Sequence, residues 1–138
     1  MPQVRITREV HFSAARRVFN PEWSDERNWE VFGECANPNW HGHDYVLHVT
    51  VEAELNTDTG FVMDFKDLKA LVERRVVEDV DHKNVNLDVP WMEGIIASAE
   101  NIVIVIWSRL VDHLPDGVSL AKLTLWETPR HYVEYSGE

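Results

Sequence analysis

Apolar and polar residues alternate along two stretches of the chain, as they do in β-strands that bury one face. The first alternation covers residues 3–14 and the second covers residues 47–55. Between them, residues 25–32 have a helical composition, and Ser24 is well placed to cap the helix that they form. The segment between the two strands is therefore predicted to be an ordered excursion and not a free loop.

The second half of the chain combines the alternating pattern of strands with the helical pattern. Its predicted elements follow in order: a hairpin strand over 61–64, an amphipathic helix over 65–79, a polar loop over 79–90, a helix that begins after Ser98, and two strands over 120–127 and 131–135. The helix after Ser98 is apolar over most of its circumference, which predicts burial between the sheet and another helix or subunit. This order favours an α+β fold, an antiparallel sheet with two helices packed on one face.

Composition limits the class of protein. The length suits a single domain, residues 1–138, and a hydrophobic content of 44% excludes a disordered chain. The net charge of −11 argues against nucleic acid as a general partner, because phosphate binding needs clustered cations. A lone cysteine allows no internal disulfide, and the sequence shows no secretory signal pattern and no apolar run of membrane-spanning length. We expect a soluble, cytoplasmic protein that binds no membrane.

One segment concentrates reactive side chains. Cys35 is the only cysteine, and His41 and His43 follow it at the entry to an alternating strand. Residues two apart in a strand project from one face, so the two imidazoles can chelate a metal ion. The intervening Asn-Pro-Asn sequence favours a turn that can fold the thiol back beside them. The alternative is a pair of solvated histidines and a cysteine that is only a small buried side chain.

Several short motifs follow one another along nearly the whole chain. They are Phe12-Ser13-Ala14-Ala15, Phe32-Gly33, Cys35 with His41-Gly42-His43, Tyr45, Gly60-Phe61-Val62-Met63-Asp64-Phe65 with Leu68-Lys69, Asp81-His82-Lys83-Asn84, Asp88-Val89-Pro90, Glu100-Asn101 and Trp126-Glu127-Thr128. In this order they resemble the 6-pyruvoyl-tetrahydropterin synthase family, which includes the bacterial 6-carboxytetrahydropterin synthases. Five residues separate Cys35 from His41, a gap that resembles the animal pyruvoyl enzymes more than the bacterial carboxy enzymes.

The resemblance implies a fold and an activity. The family has the tunnelling fold (T-fold), in which protomers form an oligomeric barrel, usually a homohexamer of two trimers with sites at subunit boundaries. It implies a lyase that acts on 7,8-dihydroneopterin triphosphate and eliminates triphosphate. Two alternatives stay open: a 6-carboxytetrahydropterin synthase of the queuosine precursor pathway, and a pterin-binding paralogue without turnover.

The resemblance also implies roles for individual residues. Cys35 matches the catalytic thiol, which takes a proton from the substrate side chain. Asp81 and His82 match the pair that moves protons from the opposite side of the pocket, on a neighbouring subunit, and a carboxylate beside an imidazole suits that role. Glu127 matches the acid that anchors the pterin, since a carboxylate can accept two parallel hydrogen bonds. The pterin site also includes residues 98 and 99, here Ser98 and Ala99.

The sequence departs from the family at one position that matters. The family binds Zn²⁺ with three histidines, of which His41 and His43 match two, but the first position holds Arg16. Arginine stays protonated and has no lone pair for a metal. His11 is a poor substitute, because its odd separation from position 16 puts it on the other strand face.

Three outcomes follow from this departure. Zinc can persist on the two histidines, with Cys35, water or substrate completing the tetrahedron. Alternatively, the site is metal-free and the Arg16 guanidinium polarises the substrate hydroxyls. In the third outcome the protein binds a pterin without turning it over. Because a cation in the site repels a second cation, the first two outcomes are close to exclusive.

Overall fold

Two strands of equal length form the centre of the sheet in the computed structural model, which describes residues 2–138. Strand β1 covers Gln3–Arg16 and strand β2 covers His41–Glu54. They pair antiparallel without a break in register, from Gln3 opposite Glu54 to Arg16 opposite His41. The alternating pattern at the start of the chain is confirmed, and β1 runs two residues further than predicted.

Three further strands complete a five-stranded sheet. They are β3 (Lys83–Asn84), β4 (Ser119–Thr128) and β5 (His131–Tyr135), and the order across the sheet is β3-β1-β2-β4-β5. All neighbours are antiparallel except β3, which runs parallel to β1. The two predicted C-terminal strands are confirmed.

The helices lie in the excursion and in the connection from β2 to β4. They are α1 (Asp25–Phe32), α2 (Phe65–Val72), α3 (Glu78–Val80), α4 (Val85–Asp88) and α5 (Ala99–Leu110). A π-helical segment, Glu73–Val77, joins α2 to α3, so the predicted helix over 65–79 is present but is not regular. Ser24 and Ser98 cap α1 and α5 through their side-chain oxygens, as their positions predicted. None of the helices within residues 2–138 has the length and apolar run needed to cross a bilayer.

The core lies between one face of the sheet and helices α2 and α5. Its fully buried large side chains include Tyr45, Leu47, Leu68, Ile106, Leu110, Leu123 and Leu125. The sheet residues of this set alternate along β2 and β4, which is why the period of two was visible in the sequence. The predicted architecture, an antiparallel sheet with helices on one face, is confirmed for the single chain.

Two sequence predictions were wrong. Residues 61–64 form bends and not a hairpin strand, because the Asp64 side chain already accepts from the Lys66 amide at 2.8 Å and begins α2. Residues 79–90 are not a plain loop, since they contain the end of α3, strand β3 and helix α4. The Asn84 side chain caps α4 by accepting from the amides of Asn86 and Leu87.

A buried asparagine, Asn28, holds the excursion between β1 and β2 in an ordered conformation. Asn28 is 2% exposed. Its amide nitrogen donates to the carbonyls of Asn20 and Ser24, and its side-chain oxygen accepts from the Asn20 amide at 2.8 Å. At the far end of the excursion, the Val18 amide donates to the Cys35 carbonyl at 2.7 Å. These bonds hold the segment that carries Cys35 against the end of β1.

Replacement of Asn28 tests this arrangement. Asn28→Ala removes three hydrogen bonds and leaves backbone groups of the excursion unpaired, so we expect the free energy of unfolding to fall by about 2 kcal/mol. Urea denaturation measures the loss. Asn39→Ala, an exposed position in the next turn, is the control and should change stability by less than about 0.5 kcal/mol. Equal effects of the two variants would contradict the role given to Asn28.

Candidate active site

The register of β1 and β2 brings three predicted residues to one end of the sheet. Arg16 lies opposite His41, and Ala14 lies opposite His43. Opposite residues in an antiparallel pair share a face, so the guanidinium and both imidazoles project to the same side. The two imidazole rings meet edge to face, with centroids 5.1 Å apart. The prediction that the two histidines share one face is confirmed.

Cys35 lies beside these histidines. A cavity of about 280 Å³ is lined by Glu34, Cys35, Asn37, Trp40, His41 and His43. The turn-forming sequence between the thiol and the strand therefore returns the chain as predicted. Cys35 is a free cysteine of intermediate burial, and it lines this cavity. A nucleophile or base at this position can reach a ligand that also contacts the imidazoles.

Arg16 is buried and has an acidic partner. Its residue is 3% exposed, and its NH2 group forms an ion pair with Oε1 of Glu127, whose side chain is 13% exposed. Its Nε donates toward Nε2 of His41 over 3.4 Å. The other Glu127 oxygen, Oε2, lies 3.1 Å from Nε2 of His131. A continuous polar chain thus runs from β5 through β4 and β1 to β2. We call these four residues the arginine network.

The electrostatics of the site follow from the arginine network. Burial raises the pKa of Glu127, but the Arg16 guanidinium outweighs it, and the pKa falls below the ordinary value of 4.5. Burial lowers the pKa of both His41 and His43, and the same guanidinium lowers them further. The imidazoles are therefore neutral at pH 7, while Arg16 and Glu127 are charged. Burial also raises the pKa of Tyr45, next to this cluster, to about 12.

The residues present do not fit the three-ligand zinc site that the family resemblance implied. Within residues 2–138 no three His, Cys, Asp or Glu side chains come together as a possible metal-binding group. The place of the third ligand is taken by a guanidinium that carries its own positive charge and has no lone pair. His11 does not replace it, because its ring pairs with Glu9 at 2.8 Å, away from the two histidines.

Asp81 and His82 are fixed to β1 by backbone hydrogen bonds. The Ser13 amide donates to Oδ1 of Asp81 at 2.8 Å, and the His82 amide donates to the Ser13 carbonyl at 2.7 Å. Nδ1 of His82 lies 3.0 Å from Oδ2 of Asp81. The Ser13 bond, with help from His82, lowers the pKa of Asp81 despite a small opposing effect of burial. The pair is therefore an ionised carboxylate that orients an imidazole.

His82 lines a second cavity, which His43 also borders. An open groove of about 480 Å³ is lined by Ser13, Ala14, Ala15, Gly42, His43, Asp44, His82, Lys83 and Asn84. His43 thus borders both the thiol cavity and this groove. Within one protomer Cys35 and His82 line different cavities, and the placement of His82 across a subunit boundary stays a prediction.

Backbone strain is concentrated next to the site. Among non-glycine residues in the part of the chain described, only Trp40 and His82 have positive φ, at 69° and 61°. Such conformations cost free energy for residues with a Cβ and persist where the surroundings enforce them. Trp40 immediately precedes the first imidazole, and His82 carries the second candidate catalytic imidazole. The two positive φ angles therefore lie at the entry to the two histidines and at His82.

Ser98 and Ala99 are not joined to this cluster in the single chain. Ser98 caps α5 by accepting from the Asn101 amide at 3.2 Å, and Ala99 is buried in the core. Within residues 2–138 neither residue lines a cavity next to Cys35 or His43. Their predicted place in the pterin site is not formed within one protomer and stays a prediction.

Sequence reasoning missed His131. Thr128 pairs with His131 across the tight β4–β5 turn, so the two residues next to the turn bring an imidazole within reach of Glu127. The signal was present in the sequence as an acid and a histidine four residues apart on the two sides of a Pro-Arg turn. It was not distinctive, because the same spacing occurs in many exposed hairpins.

Comparison with known proteins identifies the family of the chain. The profile of the 6-pyruvoyl tetrahydropterin synthase family matches residues 5–138. The human 6-pyruvoyl tetrahydrobiopterin synthase is 41% identical over 136 residues, which cover 99% of this chain and 93% of that protein. The dihydroneopterin monophosphate aldolase of Pyrococcus furiosus is 35% identical over 134 residues, 96% of each chain. The solved structure of Caenorhabditis elegans 6-pyruvoyl tetrahydropterin synthase superposes with a TM-score of 0.92, at 36% identity, and covers 100% of this chain and 98% of that one.

The chain belongs to the 6-pyruvoyl tetrahydropterin synthase family. The predicted family is confirmed by the profile and by the identity of the relatives. The predicted T-fold is confirmed for the protomer by the superposition.

The Arg16–Glu127 pair should be a large stabilising element. Glu127→Gln leaves the buried guanidinium without a counter-charge, and we expect a loss of about 3 kcal/mol in the free energy of unfolding at pH 7. Chemical denaturation at pH 7 measures the loss. The control is Glu134→Gln, which breaks the exposed Lys122–Glu134 pair of 3.5 Å between β4 and β5 and should cost less than about 1 kcal/mol. A similar loss in both variants would show that the guanidinium is not buried as described.

The same variant predicts a pH dependence. Because the pKa of Glu127 is lowered on folding, its contribution is complete above the ordinary value of 4.5 and is lost as pH falls through the lowered folded value. The stability gap between wild type and Glu127→Gln should therefore be constant from pH 7 to about 5 and narrow below pH 4.5. Denaturation curves at several pH values measure this gap. A gap that widens in acid would contradict the assignment.

Proposed function

We propose that the protein is a carbon–oxygen lyase that acts on 7,8-dihydroneopterin triphosphate and eliminates triphosphate to give 6-pyruvoyl-tetrahydropterin. One observation carries the proposal: at one end of the sheet His43 borders both the cavity that Cys35 lines and the groove that His82 lines. Two groups that exchange protons from opposite sides of a bound side chain are what such an elimination needs. Membership of the family and the human relative support the same reaction.

Each group has a role that its surroundings support. Cys35, as a thiolate, removes a proton from a carbon of the substrate side chain. His82, oriented by Asp81, returns protons as triphosphate leaves. Both residues are reachable from solvent-accessible cavities, unlike structural groups of the core. The triphosphate itself needs cations, which we expect from Lys and Arg side chains of neighbouring protomers.

Glu127 anchors the pterin in this proposal. An ionised carboxylate has about four lone-pair directions, and Arg16 and His131 occupy two of them. The other two can accept from a ring N–H and an amino group of the pterin. The lowered pKa of Glu127 keeps it an acceptor at all pH values near neutrality.

The complete site requires more than one copy of the chain in this proposal. The His82 side chain is 83% exposed in the single protomer, and Ser98 and Ala99 are remote from the thiol cavity. Strand β5 ends the sheet with an edge that has no neighbour among the described residues. We expect a homohexamer of two trimers, with a mass in solution of about six times 16.1 kDa by light scattering.

Two other outcomes have their own support. A relative of 35% identity is named as an aldolase, so family membership alone does not determine the reaction. Arg16 at the first zinc-ligand position favours a pterin-binding protein without turnover. The carboxy product is less favoured, because five residues between Cys35 and His41 resemble the pyruvoyl enzymes. Product analysis by mass spectrometry separates these alternatives.

The proposal predicts triphosphate release that depends on Cys35. Purified protein incubated with 7,8-dihydroneopterin triphosphate should release triphosphate, and Cys35→Ala should slow the release by about 10²-fold to 10⁴-fold. Pterin fluorescence should show that Cys35→Ala still binds the substrate. Glu34→Gln, at an adjacent position lining the same cavity, is the matched control and should retain most of the activity. Binding of the pterin with no triphosphate release by wild type would favour the non-catalytic alternative.

A further inference from the structure

We propose that the Arg16 guanidinium replaces the metal ion of this site, so that the protein holds no zinc on His41 and His43 and works without it. The consequence of this inference for catalysis rests on the proposed function. The evidence that Arg16 excludes zinc is the geometry of the arginine network. Three features of that network support it: the position of Arg16, the lone pair that it uses on His41, and the charge that Glu127 supplies.

The position of Arg16 is fixed by the strand. It is the last residue of β1, directly opposite His41, and at 3% exposure it has no freedom to turn out to solvent. Its guanidinium carbon lies 5.8 Å from the centroid of the Tyr45 ring, which is itself fully buried. The positive charge is thus built into the end of the sheet and does not depend on a mobile side chain.

Arg16 also uses the atom that a metal would need. Its Nε donates toward Nε2 of His41 over 3.4 Å, which makes this nitrogen the acceptor of a hydrogen bond. A metal ion binds the same lone pair, so the two interactions compete. The other ring nitrogen of His41, Nδ1, is buried and makes no hydrogen bond within residues 2–138. Because both ring nitrogens of His41 are thus withheld from a metal, only His43 is left, and a single imidazole is not a metal site.

Charge balance points in the same direction. Glu127 pairs with Arg16 and is shared with His131, so the acid nearest the histidines already neutralises one cation. A divalent cation between His41 and His43 would be repelled by the guanidinium at short range. This repulsion opposes metal binding at the two histidines.

A fixed guanidinium can supply the electrostatic part of what a metal supplies. It carries a positive charge that can stabilise negative charge developing on a substrate oxygen. It is oriented before the substrate binds, because Glu127 and His41 hold two of its nitrogens. The proton transfers stay with Cys35 and the Asp81–His82 pair.

Zinc stoichiometry tests the inference directly. The protein is dialysed against a chelator and then equilibrated with excess zinc. Unbound metal is removed, and the zinc content per chain is measured by elemental analysis. We expect less than about 0.1 zinc per wild-type chain and close to one per chain for Arg16→His, which supplies the missing imidazole and removes the charge. Zinc should raise the melting temperature of Arg16→His only. The control is Arg5→His, which adds a histidine to an exposed position of the same strand and should gain no zinc.

The results of this test distinguish a failure of the inference from a failure of the proposed function. One tightly bound zinc per wild-type chain would overturn the inference and leave the lyase proposal intact. Absence of zinc together with no triphosphate release would support the inference and count against the lyase. Triphosphate release that resists chelator would support both. If Arg16→His does not fold, the wild-type stoichiometry still decides, and a folded Arg16→His without zinc would show that Arg16 is not what excludes the metal.

Discussion

The unbroken antiparallel register of β1 and β2 is the constraint on which the site depends. Side chains alternate faces with a period of two, so a slip of one residue would carry Arg16 to the opposite face from His41 and His43. The alternating core residues of both strands prevent such a slip, because it would expose them together. The hydrophobic core therefore fixes the direction of three polar side chains that lie beyond its end.

The arginine network then links the far strands to this register. It takes one residue from each of β1, β2, β4 and β5, so it forms only when these four strands have assembled. A buried arginine is costly unless its charge is balanced, and Glu127 provides that balance from β4. The acid that the pterin needs in the proposed function is thus also the acid that stabilises the buried cation. Substitutions at Glu127 must be interpreted with both effects in mind.

The features of the fold and site that could be predicted from the sequence are those whose signal lies within a short stretch of the chain. The long strands, the capped helices α1 and α5 and the shared face of the two histidines follow from periodicity and from single side chains, and these predictions are confirmed. The predicted strand over 61–64 was wrong because Asp64 caps a helix. Strand β3 and helix α4 were missed because both depend on Asn84, which is the last residue of β3 and the cap of α4. Arg16 was identified as a departure, but its contact with Glu127, which also contacts His131, is formed only by sheet pairing.

Strain at Trp40 and His82 shows how the fold aims side chains that the core does not hold. Both residues have left-handed backbone conformations, and both amides are tied by hydrogen bonds, to the carbonyls of Asn37 and Ser13. Because each strained residue is anchored to a neighbouring turn or strand, the cost is met by the surrounding structure and the side chain direction is fixed. A glycine at either position would relieve the strain but would remove the side chain. The bulky residues found there therefore fit a site in which orientation matters more than local stability.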